Sequence, residues 1–208
     1  MNKVYVTAVV DTVTDEEIKA LIPPMKSRRF GKLQKRALAT ALKAMETANL
    51  PKPDMILNGT SLGCMENTLK LLDALHTEGE SASMPTAFMQ STHNTISSLI
   101  AIYTNNHGYN ATYSHGKISF ECALQDAFLR IRSGAARTAL VCKNDEITEF
   151  MSQQPLFFGN IHTEDIYEAW VLCSEKAATH PLFEIENVII SHHDNQDSAQ
   201  IIKKSLCD

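Results

Sequence analysis

Three side chains that could do chemistry stand together between a predicted strand and a predicted helix: Ser114, His115 and Lys117, with Gly116 among them. A serine next to a histidine suggests a nucleophile and its base. Adjacent residues on a strand point to opposite faces, however, so Ser114 and His115 cannot act on the same substrate atom. A serine hydrolase also needs a third group that orients the histidine. Lys117 could hold a phosphate or a carboxylate, or its ammonium group could simply reach into solvent.

Histidines cluster once, in the run His192-His193-Asp194. The two histidines diverge on a strand, and no third or fourth ligand follows at a spacing typical of zinc sites. His93 and His107 flank one predicted helix, which separates them by about 21 Å at 1.5 Å per residue. The sequence therefore predicts no metal site and no cofactor.

The five cysteines are odd in number and widely spaced, without a CxxC pair. This pattern argues against both a disulfide framework and a structural zinc site. Free cysteines are most often small buried apolar residues, and a reducing cytoplasm is the simplest location for the chain. These cysteines are Cys64, Cys122, Cys142, Cys173 and Cys207.

Composition narrows the possible classes of protein. The chain has 208 residues, of which 44% are hydrophobic, so it can bury a core as a single domain spanning residues 1–208. It carries 19 basic and 24 acidic residues without a long basic run, so no nucleic-acid footprint is expected. Its apolar runs are too short to span a membrane.

The order of predicted elements alternates between strands and helices. This alternation predicts an α/β fold with about five strands in a mixed sheet and helices on both faces. The helix at residues 118–132 has apolar residues almost all round, which is typical of a buried helix. We expect strands at 3–10, 54–58, 110–114, 138–143, 168–174 and 183–191, a connector or short strand at 85–89, and helices at 32–48, 66–76, 91–106, 118–132 and 198–206.

Several segments together resemble the N-terminal half of a β-ketoacyl synthase, an enzyme of the thiolase fold. The resemblance implies a thiolase-like N-terminal half with helices on both faces of the sheet. No segment is specific alone, but their order and spacing match over about residues 3–191. They are Ser27-Arg28-Arg29, residues 58–63, residues 94–108, residues 123–134, residues 140–146 and residues 167–178.

The chain departs from the family at the nucleophile. The family's catalytic cysteine stands 17 residues before the glycine that ends the buried helix, and Lys117 stands 17 residues before Gly134. Cys122 comes five residues too late. The family's catalytic histidines lie in its C-terminal half, and the chain ends before that half would begin. Lys117 is therefore interpreted as a vestigial nucleophile position with neighbours Ser114, His115 and Gly116, and the chain is not expected to be catalytic alone.

A ketosynthase-like subunit without the cysteine resembles a chain-length factor, which pairs with an active ketosynthase. The resemblance implies a homo- or heterodimer whose partners are a full-length β-ketoacyl synthase and an acyl carrier protein, in fatty-acid, polyketide or aryl-polyene-type biosynthesis. The alternative is an enzyme that acts on acyl thioesters by non-cysteine chemistry, such as a decarboxylase or an acyltransferase.

The same resemblance places two sets of binding residues. The segment of Phe88 and Met89 is similar to one at the family's dimer interface and acyl tunnel, and Cys64 follows a loop near the acyl pocket. The strand before the nucleophile runs along the dimer interface in this family, so Ile102, Tyr109 and Tyr113 are candidate interface residues. Aromatic side chains suit the centres of such interfaces.

Overall fold

A single sheet organises the computed structural model of the chain, and its strand order is β3-β2-β4-β5-β1-β6-β7. Strand β2 pairs in parallel with β3 and β4, whereas the other neighbours are antiparallel. The structure describes residues 1–81, 83–154, 164–175, 177–178, 180–194 and 196–206. The strands are β1 Val4–Val10, β2 Met55–Gly59, β3 Tyr109–Tyr113, β4 Thr138–Asp145, β5 Ile166–Ser174, β6 Phe183–His193 and β7 Gln196–Ser205. The helices are α1 Asp15–Leu21, α2 Pro24–Ser27, α3 Lys32–Thr47, α4 Met65–Glu78, α5 Pro85–Gln90, α6 Thr95–Tyr103, α7 Ser119–Ser133 and α8 Glu149–Ser152.

Helices cover both faces of the sheet, as the sequence predicts. In β4, Leu140 and Cys142 face a core that includes α3 and α6, while Ala139 and Val141 face a second core that includes α7. A strand buried on both faces is apolar at consecutive positions instead of alternating. The mixed α/β class with helices on both faces of the sheet is therefore confirmed.

Helix α7 is seated closely against the end of β2. A Cβ atom on Gly59 would lie 2.5 Å from the backbone of Phe120, so only glycine allows this approach. The helix ends at Gly134, whose φ of 85° is left-handed. Its inner face, which includes Ala123, Leu124 and Ile131, is fully buried. The helix is not buried all round, because Leu129 on its outer face is 55% exposed.

The structure corrects three expectations about the elements. Residues 198–206, expected as a helix, form most of β7, so the described chain has seven strands in place of about five. Residues 85–89 lie in the short helix α5, and the helix expected from residue 91 begins at Thr95. Strand β7 exists because it pairs along its whole length with β6, and that pairing decides the structure of a run whose local pattern also fits a helix.

Strand β3 lies at one edge of the sheet, where the described chain pairs it only with β2. Its other edge presents backbone N–H and C=O groups that a further strand could pair with. Among the helices described, none has both the length and the apolar character needed to cross a membrane.

Candidate functional site

The turn between β3 and α7 presents the four residues that the sequence singles out. Residues 116–118 form one 3₁₀ turn, and the side chain of Lys117 is exposed there. Ser119 braces the turn, because its hydroxyl accepts a hydrogen bond from the His115 amide (2.8 Å) and donates one to the Gly116 carbonyl (2.7 Å). The Ser61 hydroxyl donates to the same carbonyl at 2.6 Å. The loop after β2 therefore helps to hold the start of α7.

The partner of His115 is Asp197, a residue that the sequence analysis does not identify. The Nε2 atom of His115 lies 3.0 Å from Oδ2 of Asp197. The Nδ1 atom of His192 lies 2.7 Å from the other oxygen, Oδ1, so one carboxylate serves two histidines. The contact between His115 and Asp197 joins residues that are 82 positions apart in the chain, which no local sequence pattern reveals.

The turn and Asp197 line the same open cleft, which has a volume of about 650 Å³. His115, Gly116, Lys117 and Ile118 form one wall, and Gln196 and Asp197 form the other. Among the described residues, His193 forms an ion pair with its neighbour Asp194, with Nε2 lying 3.4 Å from Oδ2. No group of three histidine, cysteine or carboxylate side chains in the described part of the chain could hold a metal ion.

The described cysteines are poorly suited to nucleophilic chemistry. Burial raises the pKa of the Cys64 and Cys142 thiols to about 12, and the Glu146 carboxylate adds to the shift at Cys64. Burial also raises the pKa of Cys122 and Cys173. A thiol reacts as its thiolate, so a raised pKa suppresses its reactivity. Cys64 packs in the core beside α3 and α6, and Cys207 lies outside the described residues.

A second open cleft, of about 680 Å³, lies between α2, α5 and α6 and combines cationic with apolar side chains. Met89 and Ile102, which the sequence analysis assigns to the acyl pocket and to the dimer interface, line it together. Phe88 is exposed on α5. No described residue that lines this cleft, which we call the cationic cleft, carries a carboxylate. Its cations are Lys26, Arg28 and Arg29. Its remaining large apolar residues are Met25, Phe30 and Leu99.

The two tyrosines assigned to the interface are connected through α7. The Arg130 guanidinium lies over the Tyr109 ring, 3.8 Å from its centroid, and its Nε donates to Asp126 at 2.8 Å. Burial raises the pKa of the Tyr113 phenol, and the Asp126 carboxylate adds to the shift. Tyr109 is 40% exposed, whereas Tyr113 is half-buried. The charged pair Arg130–Asp126 on α7 therefore contacts both tyrosines of the edge strand β3.

A second acidic residue missed by the sequence analysis shapes the loop after β2. Asp145 accepts hydrogen bonds from the Thr60 hydroxyl (2.7 Å) and from the amides of Ser61 (2.9 Å) and Leu62 (3.0 Å). Such a carboxylate holds the loop in one conformation, because it accepts hydrogen bonds from three successive residues of the loop. This loop in turn supports the turn that carries Lys117.

Fold and site together define a ketosynthase-like domain of the thiolase fold. The chain belongs to the family described as beta-ketoacyl synthase, N-terminal domain, whose model matches residues 8–200. No curated protein is similar enough to the chain to be matched.

Solved structures show the same fold at low sequence identity. One is a chain of a type II polyketide synthase acyl carrier protein in complex with its ketosynthase bound to the hexaketide, with a TM-score of 0.78, 13% identity, and coverage of 91% of this chain and 69% of that one. Another is a chain of the ketosynthase ApeO in complex with its chain length factor ApeC from Xenorhabdus doucetiae, with a TM-score of 0.67, 22% identity and coverage of 82% and 79%. The ishigamide ketosynthase/chain length factor has a TM-score of 0.70 at 15% identity, covering 91% of this chain and 64% of that one.

Proposed function

We propose that the chain is a non-catalytic ketosynthase-like subunit of the chain-length-factor type. In this role it pairs with an active β-ketoacyl synthase in fatty-acid, polyketide or aryl-polyene-type biosynthesis, on acyl groups supplied by an acyl carrier protein. The observation that carries the proposal is that Lys117, which the resemblance assigns to the family's nucleophile position, lies exposed in the turn before α7. A helix N-terminus stabilises a thiolate, but it opposes a cation.

The thiols and the open edge support the same role. Cys122, the thiol nearest in sequence to Lys117, lies within α7 and has a raised pKa. Strand β3 offers an unpaired edge with Tyr109 exposed at its start, and an edge of this kind favours pairing with a second subunit. Free buried cysteines fit a cytoplasmic location.

The cationic cleft supports the assignment of an acyl-carrier partner. Arg28 and Arg29 form no ion pair with any described residue, and Lys26 lies over the Tyr103 ring at 5.3 Å. Unpaired cations above apolar walls suit a ligand with an anionic head and an acyl chain. Met89 is exposed and adaptable in shape, as expected of a residue that lines such a pocket.

Co-expression with an active β-ketoacyl synthase tests the proposal. We expect the two chains to co-purify as a complex and the complex to condense malonyl units on the acyl carrier protein. Lys117→Ala in this chain should leave condensation unchanged within about twofold, whereas replacing the cysteine of the active ketosynthase should abolish it. The same assay with Lys19→Ala, which removes an exposed lysine on α1, controls for the loss of one charge.

Two results contradict the proposal. One is the absence of any complex with an active ketosynthase of these biosynthetic classes. The other is turnover of a malonyl thioester by the isolated chain that is lost in Lys117→Ala, which would establish the alternative of a decarboxylase or acyltransferase.

A further inference from the structure

The β6–β7 hairpin extends beyond its pairing with β1 and lies across α7. Only residues 183–185 of β6 pair with β1, and the register shifts between Ile185 and Asn187. Beyond this point the hairpin contacts the helix, since Gln125 donates to the Val188 carbonyl (3.0 Å) and Arg132 donates to the Glu186 carbonyl (3.2 Å). Val188 is buried in the same core as Phe128. The base of the hairpin is therefore held by pairing and by apolar packing.

The tip of the hairpin is held differently. His192 and Asp197 stand directly opposite each other in the β6–β7 register. Their contact orients the carboxylate so that its second oxygen reaches His115, on the turn before α7. The residues described at the tip are exposed, so apolar packing contributes little there. The His115–Asp197 contact is thus the polar link between the tip and the turn.

We infer that the β6–β7 hairpin is a strap whose tip is latched by Asp197 onto the turn at the start of α7, and that release of this latch opens the cleft beside Lys117. The two walls of that cleft belong to the two parts that the latch joins. His192 is a positioning residue, because it acts on the turn only by orienting Asp197.

The charges around the latch favour a reversible contact. The hydrogen bonds from His192 and His115 hold the pKa of the Asp197 carboxyl below its usual range, so it is charged at neutral pH. Lys117 shares the cleft with it, Cys122 and Glu121 lie on the facing helix, and His193 is paired with Asp194 at the turn of the hairpin. Exposed pairs of this kind contribute little free energy each. A tip joined to the turn by one such pair, His115–Asp197, can therefore open without unfolding the sheet.

Hydrogen exchange at pH 7 tests the latch. We expect Asp197→Asn to speed exchange by about two- to tenfold, the range that loss of one or two exposed pairs allows, in the peptides around His192 and Asp197 and in the peptide spanning the turn before α7. Peptides from the base of the hairpin and from β4 should be unchanged. His115→Ala, which leaves the hairpin pairing intact, should give the same pattern. This variant provides the test if Asp197→Asn lowers the overall stability.

Asp194→Asn is the matched control. It removes a carboxylate from the same tip whose ion pair among the described residues is with His193, and asparagine accepts the left-handed φ of 50° found at this position. Equal effects of Asp194→Asn and Asp197→Asn, or unchanged exchange at the turn in both latch variants, would overturn the inference. Faster exchange at the tip and the turn alone, confined to Asp197→Asn and His115→Ala, supports it.

Discussion

At the scale of single residues, the pKa values of the cysteine thiols indicate whether any of them could act as a nucleophile. Cys64 and Cys142 are both buried, and their thiols have a pKa of about 12. A condensing enzyme needs a thiolate at neutral pH, which a positive helix end or a neighbouring cation provides. The described cysteines have the opposite environment, because each is surrounded by apolar or acidic groups that favour the neutral thiol.

We therefore expect Cys64, Cys122, Cys142 and Cys173 to react slowly with iodoacetamide in the native protein at pH 7.5. All four should react fully in urea, because unfolding restores an ordinary pKa to each thiol. Mass spectrometry of tryptic peptides measures each site separately. Rapid labelling of Cys64 or Cys122 in the native state would contradict the assignment of a chain without a catalytic thiol.

At the scale of elements, α7 connects the candidate site to the core. Its first turn carries the hydrogen bonds that shape the Lys117 turn, and its inner face fills the core on one side of the sheet. A loss of packing along the helix would therefore also loosen the site at its start.

Two leucines on α7 allow a matched test of this role. Leu124 is fully buried and Leu129 is 55% exposed. Leu124→Ala should lower the free energy of unfolding by ~2–5 kcal/mol, since it removes buried methyl groups and leaves a cavity. Leu129→Ala should change it by less than about 0.5 kcal/mol. Urea denaturation of the two variants measures both values, and a small effect at Leu124 would show that α7 is not a core element.

At the scale of the whole molecule, the open β3 edge and the cationic cleft are the surfaces that we propose for contact with partner chains. Tyr113 is a poor place to test it by mutation, because a new carboxylate there would face Asp126 within the same chain. The side chain of Ile102 is 79% exposed, so its replacement should leave the isolated fold intact. Ile102 is thus the better probe of the interface that we propose.

We expect the wild-type chain to form a homodimer or a heterodimer with an active ketosynthase. Ile102→Asp should weaken that assembly at least about tenfold, because a charge buried in an interface loses its hydration. Size-exclusion chromatography with light scattering measures the change. Leu182→Asp is the control, because Leu182 is also a large aliphatic residue and is 55% exposed. If the wild type and Ile102→Asp behave alike in every assembly, the interface assignment is wrong.

Local sequence patterns alone predict the α/β class, the helices on both faces and the position of the lysine that precedes α7. These features depend on periodicity, on the order of elements and on spacing within one segment, and all of them are local properties of the chain. The capping of α1 by Thr14 and Glu17 is another local feature that the structure contains, with hydrogen bonds of 2.8 and 3.2 Å.

Tertiary contacts decide the secondary structure of residues 198–206 and the position of Asp197 beside His115. Ile201 and Ile202 lie in a run whose pattern fits a helix as well as a strand, and pairing with β6 selects the strand. That pairing places His192 opposite Asp197, and the path of the hairpin across α7 brings the same carboxylate to His115. Met89 and Ile102 likewise share a cleft only because α5 and α6 pack side by side with the segment around α2. Contacts of this kind join distant segments, so packing of the whole chain decides them.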